Sequence, residues 1–252
     1  MLYSCLFDLD GTVYKGHSPI EGAINFINRL KKNEIKYKFV TNRSDRSSEE
    51  VSAHLNEMGV ISTPDLVITS AMGAAALTKG RRAYVLGSNN LKDCIRGAGA
   101  IITDDQPEDV VIGFNGKINF DDIRDACQKI LSGARFLATN PDIWIQSGQG
   151  VVPENGSILA AITSITKIQP IIAGKPNPTM IEIALLDPDI KRNSVIIIGD
   201  NLDTDIAAAN SIGLRSILLL TGVTNYKTAE TSAIKASWIA KDYKALEAIL
   251  FS

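Results

Sequence analysis

Four consecutive β-branched residues, Val195 to Ile198, form the most strand-like run in the sequence of 252 residues. The run ends abruptly in Gly199 and Asp200, a turn residue followed by a carboxylate. Strand-like and helix-like segments then alternate over the rest of the chain. This alternation predicts an α/β fold in which a parallel sheet carries helices on both faces.

A second apolar run near the N-terminus ends in the same way. Residues 2–7 are predicted to form a buried strand, and Asp8, Asp10 and Gly11 follow it. In open α/β sheets ligands bind beyond the carboxyl ends of the strands, so this pair of acids is expected at the mouth of a site. Two carboxylates suit a divalent cation, and they can also divide nucleophilic and acid/base roles between them. The alternative is that these residues form only a hydrophilic turn.

The composition is that of a soluble globular protein, with 45% hydrophobic and 21% charged residues. Twenty-six basic residues against 28 acidic ones leave a net charge of -2, which gives no sign of a nucleic-acid partner. The three cysteines are scattered and predict neither disulfides nor a zinc site. Because no secretion signal or membrane-length apolar stretch is evident, we expect a cytoplasmic protein that binds a small ligand and no membrane.

The order of segments suggests two α/β regions. A new unit is predicted to begin at about residues 78–82, and the strand at 171–173 is expected to return the chain to the first sheet. Residues 139–150, rich in glycine, proline and asparagine, are predicted to form a long loop. Pro19 is expected near the start of the first helix. The predicted helices cover residues 19–32, 51–58, 70–77, 120–131, 157–165, 207–211 and 243–250.

The two acid-terminated strands together predict a metal site. Asp8, Asp10 and Asp200 could enclose one hard cation, most plausibly Mg²⁺. Asp203 is interpreted as the cap of the helix that follows. Asp205 is assigned a supporting role, in which it orients either the metal site or a lysine.

Two further strand ends carry groups that suit phosphate. Lys175 lies in a tight turn after a strand and could face phosphate oxygens, although a solvated loop lysine is the alternative. Thr41 and Asn42 supply neutral donors at another strand end. This set fits phosphoryl transfer, and Walker A and dinucleotide-binding glycine motifs are absent from the sequence. A carboxylate can attack phosphorus, so Asp8 is a candidate nucleophile.

These motifs resemble those of the haloacid dehalogenase (HAD) superfamily of phosphohydrolases. The four motifs occur in order as residues 8–12, 41–42, Lys175 and 199–205. Together with Ala138-Thr139-Asn140-Pro141-Asp142, they are similar to the NagD-like, p-nitrophenyl phosphatase branch. The resemblance implies a Rossmann-like core formed by residues 1–79 and 173–252, with an inserted α/β cap domain at residues 80–172.

The resemblance also implies a role for each motif. Asp8 would be the nucleophile and Asp10 the general acid and base, while Asp8, Asp200 and the backbone carbonyl of Asp10 would bind Mg²⁺. Substrate binding would fall to four residues, namely Thr41, Asn42, Arg43 and Lys175. The implied activity is hydrolysis of small phosphate monoesters through an aspartyl-phosphate, by a monomer or homodimer. There are two alternatives: a phosphotransferase or mutase, and a module that binds a phosphometabolite without turnover.

Overall fold

The computed structural model describes residues 3–147 and 150–251. The chain divides into two compact units. The first comprises Met1–Thr41, Ser48–Ile68 and Lys175–Ser252, and the second comprises Asn42–Ser47 and Thr69–Gly174. The second unit is therefore inserted, in two pieces, into the sequence of the first. The domain limits at residues 80 and 172 stay a prediction.

Fifteen strands and ten α-helices are present in the described part of the chain. The strands are β1 (Ser4–Phe7), β2 (Tyr14–Lys15), β3 (Ser18–Pro19), β4 (Tyr37–Thr41), β5 (Val67–Thr69), β6 (Arg82–Leu86), β7 (Ile101–Ile102), β8 (Asp109–Ile112), β9 (Arg135–Ala138), β10 (Trp144–Ser147), β11 (Gly150–Pro153), β12 (Ile171–Ile172), β13 (Val195–Gly199), β14 (Arg215–Leu219) and β15 (Trp238–Ala240). The helices are α1 (Ala23–Lys32), α2 (Ser48–Glu57), α3 (Ser70–Thr78), α4 (Asn89–Gly97), α5 (Phe120–Leu131), α6 (Asn155–Thr166), α7 (Thr179–Ala184), α8 (Ala207–Ser211), α9 (Tyr226–Thr231) and α10 (Tyr243–Leu250).

The first unit is built on a six-stranded sheet with the order β15-β14-β13-β1-β4-β5. Strand β1 pairs in parallel with β13 on one side and with β4 on the other, so Phe7 lies opposite both Ile198 and Phe39. The apolar side chains of these strands pack with α1 and α10 in a buried core that contains Phe7, Phe26 and Phe39. Because the strands are parallel, the carboxyl ends of β4, β1 and β13 lie side by side at one edge.

The second unit contains a five-stranded parallel sheet with the order β12-β9-β8-β6-β7. Helices α3 and α4 cover one face through Ala74 and Leu91, and α5 and α6 cover the other through Ile130 and Ile162. The near-continuous apolar strand Val110 to Ile112 is buried because both faces of its sheet are covered. The predicted α/β class, a Rossmann-like core with an α/β insertion, is confirmed.

The prediction that residues 171–173 return to the first sheet is wrong. Ile171 and Ile172 lie opposite Leu137 and Ala138, so β12 extends the sheet of the second unit as its edge strand. Helix α6 provides the crossover that brings β12 parallel to β9. A strand of two isoleucines has the same local signal in either sheet, and its partner is decided by that crossover.

Two local predictions are also wrong. Residues 139–150 are predicted to form a loop, and residues 139–143 do lack regular structure, but β10 and β11 form an antiparallel hairpin in which Trp144 lies opposite Pro153. Residues 148–149 lie outside the described part. Ile145, Val151 and Val152 favour strands, and their pairing across the hairpin outweighs the local turn signal. Pro19 belongs to β3, and α1 begins only at Ala23, because Gly22 turns the chain with a φ of 86°. The predicted first strand includes Leu2, which lies outside the described residues.

Among residues 3–147 and 150–251, none of the helices combines the length and the apolar character that a membrane span requires.

Candidate active site

Asp8 continues β1 beyond its last residue. Its backbone N–H donates to the carbonyl of Ile198 at 2.9 Å, so the β1–β13 pairing holds the backbone at this position. Its side chain is 12% exposed, and its Oδ1 accepts from the Lys175 ammonium at 2.5 Å. The strand end thus delivers a largely buried carboxylate beside a cation.

Lys175 is the centre of a buried ion-pair network. Its Nζ donates to Asp8 Oδ1 at 2.5 Å, to Asp205 Oδ1 at 2.7 Å and to the Val40 carbonyl at 2.9 Å. These bonds use all three ammonium donors. Burial opposes the charged form of Lys175, but the carboxylates of Asp205 and Asp8 outweigh it and raise its pKa. At 2% exposure, the alternative of a solvated loop lysine is excluded.

Asp200 follows β13 and is held by a backbone donor and a hydroxyl. Its Oδ2 accepts from the Val223 N–H at 2.6 Å, and its Oδ1 accepts from Thr12 Oγ1 at 3.2 Å. A Cβ at Gly222 or at Gly11 would clash with this carboxylate. Gly11 also has a φ of 87°, which disfavours any other residue there. The two glycines therefore allow backbone to close around Asp200.

Both carboxylate oxygens of Asp205 accept hydrogen bonds. Its Oδ1 accepts from Lys175, and its Oδ2 accepts from the Asn201 N–H at 3.1 Å. Of the two supporting roles predicted for Asp205, this geometry favours orientation of the lysine. Asp203 is exposed and was expected to cap the following helix, but Asn201 does so instead, because its side chain accepts from the Asp203 N–H at 2.9 Å. The capped segment is a π-helical turn, Leu202–Ile206, that runs into α8.

The site concentrates negative charge in a buried place. Carboxylate oxygens of Asp8, Asp200 and Asp205 lie within 4.8 Å of one another. Burial raises the pKa of Asp8 to about 7, and those of Asp200 and Asp205 to about 6. In each case desolvation of the carboxylate is the largest cause, and repulsion from a neighbouring carboxylate adds to it. One ammonium balances only one of the three negative charges.

This excess of charge fits a divalent cation with oxygen ligands. Asp8 and Asp200 offer carboxylate oxygens, which are the kind of ligand Mg²⁺ prefers. Asp205 completes the acidic group, and its two oxygens accept hydrogen bonds, as those of Asp200 do. The role predicted for Asp10 as a metal ligand uses its backbone carbonyl and stays a prediction.

Asp10 is the exposed acid of the site. Its Oδ2 accepts from the Tyr14 hydroxyl at 3.5 Å, and the loop between them is closed by a hydrogen bond from the Gly11 N–H to the Tyr14 carbonyl at 2.8 Å. The Tyr14 side chain is 3% exposed. A carboxylate that is open to solvent at the mouth of the site can exchange protons with a ligand or with water.

The predicted substrate-binding residues divide between the two units. Thr41, the last residue of β4, is buried in the first unit. Asn42 and Arg43 belong to the second unit, where the Asn42 carbonyl accepts from Ser70 Oγ at 2.6 Å and an Arg43 Nη1 lies 3.8 Å from an Asp45 carboxylate oxygen. Their contacts with phosphate stay a prediction.

Sequence reasoning missed the residues that support the acids. Thr12, Tyr14 and Val223 each donate to a site carboxylate, and Thr221 Oγ1 donates to the Gly11 carbonyl at 2.7 Å. Residues 221–223 follow β14, so the same rule of polar residues at a strand end could have found them. A backbone donor such as Val223 carries no side-chain signal.

Comparisons with known proteins agree with this geometry. A family model described as haloacid dehalogenase-like hydrolase matches residues 5–101, and a second, described as HAD-hydrolase-like, matches residues 172–246. The acid sugar phosphatase of Staphylococcus saprophyticus is 35% identical over 242 residues, which cover 94% of this chain and 93% of that protein.

Two solved structures extend the likeness to the fold. Glycerol phosphate phosphatase from Mycobacterium tuberculosis, in complex with magnesium, has a TM-score of 0.89 and 34% identity, covering 97% of this chain and 76% of its own. NagD from E. coli K-12 has a TM-score of 0.88 and 31% identity, covering 96% and 97% of the two chains. The acids at the strand ends and the buried lysine are consistent with this similarity, which extends over nearly the whole chain. The chain belongs to the haloacid dehalogenase-like hydrolases as a NagD-like phosphatase.

Proposed function

We propose that the protein hydrolyses small phosphate monoesters in a magnesium-dependent reaction through an aspartyl-phosphate on Asp8. The observation that carries this proposal is the placement of the Asp8 carboxylate against the buried Lys175 ammonium, within a group of three carboxylates. A solvated turn would need neither the buried cation nor the excess of buried negative charge. A phosphoryl group bound with Mg²⁺ requires both.

In the proposed first step an oxygen of Asp8 attacks phosphorus and the bond from phosphorus to the leaving oxygen breaks. Asp10 gives its proton to that oxygen, so the alcohol leaves neutral. In the second step Asp10 takes a proton from water, the water oxygen attacks phosphorus, and the bond to Asp8 breaks to release phosphate. The Tyr14 hydroxyl lies 3.5 Å from Asp10 Oδ2 and is the neighbouring hydroxyl of this acid.

Mg²⁺ would be held by Asp8, Asp200 and the backbone carbonyl of Asp10, and its chemistry there is to neutralise charge on the phosphoryl oxygens. Thr41, Asn42, Arg43 and Lys175 are proposed to bind those oxygens. The raised pKa of Lys175 keeps it charged, and it would bind a phosphoryl oxygen by exchanging one of its three hydrogen bonds for a bond to that oxygen.

The relatives support a substrate class. An acid sugar phosphatase and a glycerol phosphate phosphatase resemble this chain, so sugar or polyol phosphates are proposed ahead of phosphoglycolate and nucleoside monophosphates. p-Nitrophenyl phosphate is proposed as a substrate in vitro. A cytoplasmic location and a monomeric or homodimeric state also stay predictions.

Phosphate release from a panel of monoesters, with Mg²⁺ and with EDTA, tests the proposal. Release is expected from the wild type with Mg²⁺ and to be abolished in Asp8→Asn, because an amide cannot act as the nucleophile. The matched control is Asp203→Asn, which removes an exposed acid of the same 200–205 segment and is expected to leave turnover unchanged. Turnover retained by Asp8→Asn would refute the covalent mechanism.

A second variant separates the roles of the two acids. Asp10→Asn is expected to suppress turnover while Mg²⁺ still binds, because the proposed ligand at this position is a backbone carbonyl. Isothermal titration with Mg²⁺ measures the binding, and its loss would contradict that assignment. Assays with an added alcohol acceptor show whether the phosphoryl group reaches water or the acceptor, and transfer to the acceptor alone would replace hydrolysis by phosphotransfer.

A further inference from the structure

The segment Asn42–Ser47 is held to the second unit through its backbone carbonyls. The Asn42 carbonyl accepts from Ser70 Oγ at 2.6 Å and from Asn140 Nδ2 at 3.1 Å. The Ser44 carbonyl accepts from Ser88 Oγ at 3.1 Å and from Asn90 Nδ2 at 3.0 Å. Both carbonyls thus receive two side-chain donors, which uses both of their lone pairs.

Two more bonds complete this attachment. Asn90 Nδ2 also donates to the Arg46 carbonyl at 2.9 Å, and the Ser70 N–H donates to the Arg43 carbonyl at 3.2 Å. Four of the six residues in the segment are therefore fixed through their carbonyl oxygens. The segment itself has no regular secondary structure, so these bonds stand in for a helix or strand ladder.

Each of the four donor residues lies within four residues after the end of a strand. Ser70 follows β5, Ser88 and Asn90 follow β6, and Asn140 follows β9. Serine and asparagine side chains have few rotatable bonds, so little conformational entropy is lost when they are fixed against the carbonyls that they bind. Side chains of this kind at several strand ends make a rigid support for one segment.

We propose that Ser70, Ser88, Asn90 and Asn140 are positioning residues that set the geometry of the phosphate-binding segment. This inference rests on the proposed function, in which Asn42 and Arg43 bind the phosphoryl oxygens. An irregular segment can present donors to phosphate only if its backbone is ordered before the ligand arrives. The four side chains provide that order from outside the segment.

Asn90 is the donor best suited to a test. It is half-buried in the first turn of α4 and supplies two of the bonds, to the Ser44 and Arg46 carbonyls. Asn90→Leu removes both donors without adding charge. Asn90→Asp keeps the shape and suits a helix N-terminus, so α4 is not weakened, but its carboxylate would face carbonyl oxygens. Ser88 is a poorer choice because its Oγ also caps α4 by accepting from the Leu91 N–H.

The neighbouring Asn89 gives a matched control. It is exposed at the first position of the same helix, so Asn89→Asp adds the same charge in the same turn and leaves the carbonyl contacts intact. If charge near the segment were the cause of an effect, Asn89→Asp and Asn90→Asp would behave alike.

Inhibition by inorganic phosphate and the kinetics of two substrates with unlike leaving groups give the first readout. Both Asn90 variants are expected to raise KM and the inhibition constant of phosphate about tenfold, the effect of about 1.4 kcal/mol, with kcat much less affected. The rise should be equal for the two substrates, because the phosphoryl group is common to them. Asn89→Asp should match the wild type.

Hydrogen exchange of residues 42–47 gives a second readout that needs no activity. Asn90→Leu is expected to speed exchange in this segment while the melting temperature stays that of the wild type. If the wild type itself releases no phosphate, the proposed function fails, and exchange still tests the attachment. Wild-type KM and phosphate inhibition in Asn90→Leu, or unchanged exchange in the segment, would overturn the inference.

Discussion

We expect Asp109→Asn to destabilise the second unit by about 3 kcal/mol. Asp109 begins β8, is fully buried, and pairs with two arginines. Arg81 Nε lies 2.9 Å from its Oδ2, while Arg135 donates from Nε to Oδ1 at 2.6 Å and from Nη2 to Oδ2 at 2.8 Å. One carboxylate thus joins the residue before β6 to the first residue of β9.

The magnitude follows from these contacts. Three charge-assisted hydrogen bonds are made, each typically worth about 1.5 to 3 kcal/mol. The arginine side chains are 34% and 40% exposed, so water partly replaces the lost partner, and the asparagine oxygen can still accept one bond. These two effects bring the expected loss below the sum, to about 3 kcal/mol. An amide nitrogen that faces a guanidinium adds a contact between two donors.

Urea-dependent hydrogen exchange of peptides that cover β8 and β9 measures the free energy of unfolding within this unit. The matched control is Asp93→Asn on α4, which breaks an exposed pair with Arg96 at 2.8 Å and should change the free energy by less than about 0.5 kcal/mol. If Asp109→Asn behaved like Asp93→Asn, the buried carboxylate would not hold the strands, and the reasoning would be refuted.

Two further predictions concern the first unit. The hydrogen bond from Lys38, at 2.9 Å, lowers the pKa of Asp187, so this pair contributes stability above the unfolded pKa and loses it as the pH falls through the folded one. Asp187→Asn is therefore expected to cost up to about 1 kcal/mol at pH 7 and nothing at the acid end of a series of thermal melts, and a cost independent of pH would contradict this sign. Gly222→Ala should lower kcat/KM about 100-fold, because the new Cβ would displace the Asp200 carboxylate. Gly116→Ala is the control, because its new Cβ meets open space, and it should leave kcat/KM unchanged. Equal activities of the two variants would show that the close approach of Gly222 to Asp200 is unimportant.

The sequence was sufficient for the class of fold and for placing acids directly after two of its strands. Val195 to Ile198 and the run before Asp8 are strand-like in their own composition, and the carboxylates follow within one or two residues. These signals are local, so they can be recognised without knowing which strands pair with each other. The parallel arrangement then brings Asp8 and Asp200 to one edge, because β1 and β13 are neighbours.

Only the tertiary structure decided which groups meet across long separations. Lys175 is 167 residues from Asp8 along the chain. The hydrogen bond from Val223 to Asp200 comes from a backbone N–H, so the type of side chain at position 223 does not predict it. The pairing of Ile171 and Ile172 with β9, and the attachment of residues 42–47 to the second unit, likewise depend on where the chain returns. Periodicity and composition determine what a segment forms, whereas its partners are selected by packing and hydrogen bonding among segments that are distant in sequence.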